Sequence, residues 1–143
     1  MWHSSLQAGD ELFVAAEPGK LNACVGACDR SLWLLGQHYA SAARALAEAA
    51  LDGEATLDAV IEPIVFLRRH ALELVLKDLI SMGMSLTGRS EIYPKHHDLK
   101  KLWEQVAQLV QQELNSEHPP GMEHVQRIIE EFDAHDPWSL SFR

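Results

Sequence analysis

With 143 residues, 47% of them apolar and 23% charged, the chain has the size and composition of one folded domain and is too apolar to be disordered. Twelve Lys and Arg against 21 Asp and Glu give a formal charge of −9. That excludes a general nucleic-acid coat, broad DNA binding and an anionic-membrane binder, all of which need a wide basic surface.

The N-terminal residues, Met1-Trp2-His3-Ser4-Ser5, lack the charged-then-apolar layout of a signal peptide. No stretch reaches the roughly 20 apolar residues of a membrane span. Two cysteines, Cys24 and Cys28, make no disulfide framework. The expectation is a cytoplasmic protein whose residues 1–143 form one domain.

Residues 1–20 read as an N-terminal arm or a short helix around Leu12, Phe13 and Val14, closed by Pro18-Gly19. From about residue 21 to 51, apolar and small residues recur at helical spacing, among them Leu21, Cys24, Cys28, Leu32, Leu35, Tyr39, Ala42 and Leu46. Gly26 and Gly36 weaken this helix by about 1 kcal/mol each relative to Ala, and Asp52-Gly53 supplies its stop. The second helix is expected over residues 56–82, capped by Thr56, with Pro63 imposing a kink or a later start. Residues 81–94 hold Gly83, Gly88 and Pro94 and read as a loop.

A third helix follows from residue 97 or 98 to 114, with Leu99, Leu102, Trp103, Val106, Leu109 and Val110 on one face. After Pro119-Pro120-Gly121, a fourth spans about 122–134, with Val125, Ile128, Ile129 and Phe132 at helical spacing. Pro137 ends it and leaves a short extended C-terminal tail. The fold expected is all-α, an antiparallel four-helix up-and-down bundle.

The second helix carries most of the chemistry. Advancing 100° per residue, Ile61, Ile64, Val65, Leu72, Val75, Leu76 and Leu79 form an apolar stripe that also contains Arg68, a cation that must find a partner or reach to solvent. Phe66, His70, Glu73 and Lys77 form a second stripe, with Glu62 and Arg69 beside it. Arg69–Glu73 and Glu73–Lys77 are i,i+4 pairs of opposite charge. This face is either a solvated surface with stabilising pairs or a polar groove that turns His70, Glu73 and Lys77 towards a ligand.

The stretch from Arg89 to Leu99 places His96 and His97 near a helix N-terminus, where Asp98 or His97 can cap the helix. There Arg89 and the histidines could serve an anion site or general acid–base chemistry. No metal is expected, because the eight histidines are scattered and no His-Glu-x-x-His or paired Cys-x-x-Cys occurs. No P-loop, dinucleotide fingerprint or nucleophile elbow is present either, so no cofactor is expected.

The run from Pro63 to Ile80, with Ala71, Glu73 and Lys77 in an Ala-x-Glu-x-x-x-Lys pattern, and the later His97-Asp98-Leu99 with Leu102, resemble the HEPN (higher eukaryote and prokaryote nucleotide-binding) superfamily. The closing Asp136-Pro137 to Arg143 looks like the start of the Arg-Tyr-Pro segment of such proteins, as in a divergent or truncated member. The resemblance implies a helical bundle that dimerises, of the kind found in toxin–antitoxin, phage-defence and RNA-processing systems. Active members are metal-independent ribonucleases with an Arg, four to six residues and a His. Arg89 and His96 meet that spacing, though the family carries the pair nearer the last helices, which favours a non-catalytic member.

Three readings follow. The first is a non-catalytic HEPN-like module that homodimerises and binds a nucleotide, RNA or an antitoxin-type protein, with Arg69, His70, Glu73, Lys77, His97 and Asp98 as the ligand-binding set. The second is a ribonuclease with Arg89 and His96 as catalytic residues. The third is a structural interaction subunit. Charge is unevenly spread: residues 113–136 hold seven acids against one Arg, whereas residues 84–112 hold four Lys or Arg against three acids and include both histidines.

Overall fold

A computed structural model describes residues 31–89, 93–114 and 119–135. Expectations for the N-terminal arm, Cys24, Cys28, Gly26 and the C-terminal tail lie outside these residues. Within them the chain is all-α, with four helices and no strand: α1 Leu32–Leu51, α2 Leu57–Leu86, α3 Leu99–Leu114 and α4 Met122–His135. Consecutive helices pack, α1 on α2, α2 on α3 and α3 on α4. The class expected from periodicity is the class found.

α1 begins at Leu32, where periodicity alone predicts a start near residue 21. The reason is a cap: the Ser31 hydroxyl oxygen accepts the Leu34 N–H at 3.2 Å. Its end is as expected, with Asp52 as C-cap and Gly53 at φ +75°. Gly36, a cost on helix propensity alone, is where α1 approaches α2. A β-carbon there would lie 3.0 Å from Val75 Cγ2 and 3.1 Å from the Ala71 carbonyl oxygen. Ala43 and Ala71 are buried at the small-residue contacts of these two helices.

α2 runs from Leu57 through Pro63 without a break and continues four residues beyond the expected end at residue 82. Gly83 is helical, because α3 comes close: a β-carbon at Gly83 would meet Leu109 Cδ1 at 3.0 Å. The true stop is Gly88, at φ +70°. Its N–H bonds the Ser85 carbonyl at 3.1 Å and the Arg89 N–H bonds the Met84 carbonyl at 3.0 Å, the paired closure of a Schellman motif. That closure sets the position of Arg89.

The core lies between α2, α3 and α4, where Leu76, Ile80, Leu99, Leu102, Trp103, Val106 and Ile129 are buried. α2 sits between α1 and α3, so burial extends well beyond a single apolar stripe. It takes in Arg69, Glu73, Lys77, Asp78 and Ser81. The expectation of a solvated charged face is therefore corrected. The exposed face is instead the one bearing Leu57, Ile61, Arg68, Leu79, Met82 and Leu86. Arg68 reaches solvent there. No described helix is long and apolar enough to cross a membrane.

Candidate functional site

Glu73 is the centre of the α2–α3 corner. One turn separates it from Arg69 and another from Lys77, so all three side chains stack along one line of the helix. Lys77 Nζ donates to Glu73 Oε1 at 2.8 Å, and His97 Nδ1 meets the same oxygen at 2.7 Å. Arg69 Nη1 donates to Glu73 Oε2 at 3.5 Å, while its Nη2 donates to the His97 carbonyl oxygen at 2.8 Å. The Glu73 side chain is only 3% exposed, and those of Arg69 and Lys77 are 8% and 10% exposed.

A buried carboxylate is tolerable only with this density of partners. Burial pushes the Glu73 carboxyl up, but hydrogen bonds from Lys77 and His97 and their charges outweigh it and hold the group below its ordinary value. The network clasps both the backbone and the ring of His97 onto α2. It thereby fixes the segment that leads into α3. These side chains face one another and that segment, not an open groove.

His70 joins a different pair of elements. Its ring stands edge-on to Tyr39 of α1, with centroids 4.6 Å apart, and stacks on Phe66 at 5.9 Å. Burial is the main cause that lowers its pKa; Lys77 adds to the effect and Glu73 opposes it. Asp98 is the N-cap of α3: Oδ1 accepts the Lys101 N–H at 3.0 Å, and Oδ2 pairs with Lys101 Nζ at 3.0 Å. Burial raises the Asp98 carboxyl, and the Lys101 bonds more than reverse this, leaving it lowered.

Arg89 lines a different feature, to which His96 is joined only through Gln105. A cleft of about 300 Å³ lies between the end of α2 and α3, with Arg89, Gln105, Gln108 and Gln112 around a floor of Ile80, Met84 and Leu109. Gln105 also reaches away from the cleft, its Nε2 lying 3.4 Å from His96 Nε2. His96 Nδ1 is buried and meets no hydrogen-bond partner among the described residues.

The structure thus sorts the expected site residues into three places. Arg69, Glu73, Lys77 and His97 come together as one network. His70 sits against α1, and Asp98 caps α3. Arg89 lines the cleft itself, and His96 touches it only through Gln105. Sequence reading missed Gln105, Gln108 and Gln112, although their spacing along α3 already places them on one polar face. Among the described residues, no group of three or more His, Cys, Asp or Glu is arranged to hold a metal ion.

This geometry defines an all-α four-helix protein with a buried charged corner and an adjacent amide-lined cleft. Comparison with protein-family models, curated proteins and solved structures returns no match.

Proposed function

We propose that the chain is a non-catalytic, HEPN-like helical module that binds a nucleotide in the Arg89 cleft. The observation that carries this reading is the position of Gln105. It lines the cleft beside Arg89 and at the same time meets the His96 imidazole at 3.4 Å. The cleft therefore offers a guanidinium for phosphate, amides for the polar edges of a base, and an apolar floor for its face. None of its lining residues is a histidine, so no imidazole stands in it to move a proton. The exposed apolar residues Leu57, Ile61 and Leu79 on α2 support homodimerisation.

Calorimetric titration with nucleoside monophosphates, and with the matching nucleosides, tests the reading. Monophosphates should bind more tightly than nucleosides, and Arg89→Ala should weaken them roughly tenfold or more, the worth of one charge-assisted hydrogen bond. Equal binding of nucleoside and nucleotide, or no effect of Arg89→Ala, would overturn it.

The link through Gln105 also favours a second reading, in which Arg89 and His96 act together on RNA. Rotation of Gln105 away from the ring would free Nε2 for proton transfer. Cleavage of RNA in EDTA by the wild-type protein, lost in His96→Ala, would replace the non-catalytic reading with a metal-independent ribonuclease. No cleavage is expected.

A further inference from the structure

Directly after Lys77, α2 carries a second buried acid that the corner does not use. Asp78 is only 9% exposed, and among the described residues its carboxylate has no ion pair and no hydrogen bond. It lines a cavity of about 460 Å³ that is separate from the Arg89 cleft. Ser81, 4% exposed and likewise without a side-chain hydrogen bond among the described residues, lies one turn along the same wall. Ser31, at the start of α1, closes one side. The rim is apolar and open, with Met82 57%, Leu86 82% and Tyr93 44% exposed.

The Asp78 side chain is largely covered, but its carboxylate borders the open cavity, and among the described residues no side chain meets it, whereas Glu73 on the same helix has three partners. Here the missing partner has room to come from outside. We infer that the Asp78 cavity binds an organic cation carried on an aliphatic stem. The carboxylate takes the ammonium or guanidinium head and Ser81 supplies a hydroxyl acceptor. The stem lies along Met82 and Leu86, and the Tyr93 ring offers its face to the charge. A cavity of this size suits a small ligand or one long side chain. The net charge of −9 draws cations towards it and disfavours anions. This site does not depend on the nucleotide reading, since it shares no lining residue with the Arg89 cleft.

The test is a titration of the isotope-labelled full chain with n-butylamine, followed through backbone amide shifts. n-Butanol at matched ionic strength serves as the neutral counterpart. Saturable shifts centred on residues 78–86 and Tyr93 are expected with the amine alone. In Asp78→Asn its binding should weaken roughly tenfold or more, as for loss of a charge-assisted bond. An equal response to butanol, which requires no variant, would overturn the inference, as would undiminished amine binding in Asp78→Asn. The thermal midpoint of Asp78→Asn should match or exceed the wild type; a lower one would place an internal partner on the carboxylate and also overturn it. Cadaverine and Nα-acetyl-lysine methylamide then separate the sources. Tighter binding of the diamine assigns a free amine, and tighter binding of the lysine derivative assigns a side chain of a partner protein.

Discussion

Glu73 and Asp78 lie on one helix, five residues apart, and both are at least nine-tenths buried. Around Glu73 three side chains converge, from its own helix and from the segment before α3. Around Asp78 there is a cavity. Burial alone therefore does not say what a charge is for. The carboxylate of Glu73 is occupied from within and holds elements together, whereas that of Asp78 lines open space and, among the described residues, has no partner.

The largest expected break in this comparison is Glu73→Ala. It leaves Arg69 and Lys77 buried without their shared anion, and removing one member of such a group costs about 3–5 kcal/mol. Chemical denaturation should show a large drop in midpoint, and a change below about 1 kcal/mol would mean that water already screens the corner.

The next effect is a pH dependence in two stages. His70 has a lowered folded pKa, so its stabilising contribution is complete above its ordinary value of 6.5 and is lost as pH falls towards the folded value. Glu73 and Asp98 are also lowered; their contributions are complete above ordinary carboxylate values and vanish as pH falls through the folded ones. Denaturation midpoints should therefore decline first below about pH 6.5 and again below about pH 4.5. His70→Phe, which keeps the ring against Tyr39 and Phe66, should abolish the first decline and leave the second.

Asp98→Ala should cost about 1 kcal/mol, the usual worth of an N-cap, read from the same denaturation curves. At the small end stands Asp78→Asn, with no loss of stability or a slight gain. If Glu73→Ala and Asp78→Asn proved equally destabilising, the distinction between the two acids would fail.

Much of the fold was legible in the residues themselves. The apolar spacing of α3 and α4 and the glycines at 53 and 121 mark their elements, because periodicity and turn chemistry are local properties. The end of α2 was misplaced for a physical reason. Gly83 reads as a breaker from its neighbours, yet it is the residue that lets Leu109 approach. Asp98 as a cap was readable, since a cap needs only its own helix. The cleft glutamines were missed, because an amide on a polar helix face has no signature until a second helix stands opposite.

Residue spacing alone dictates the all-α class, the order of the helices and the alignment of Arg69, Glu73 and Lys77 on one line. These follow from a 3.6-residue period and need no neighbour. It did not determine which side of α2 meets water. That was decided by packing between α1 and α3, which buried the charged line and exposed Leu79, Met82 and Leu86. Nor could spacing tell Glu73 from Asp78. His97 reaches Glu73 across 24 residues of chain, and only the folded chain brings a partner from so far to one acid while, among the described residues, the other has none.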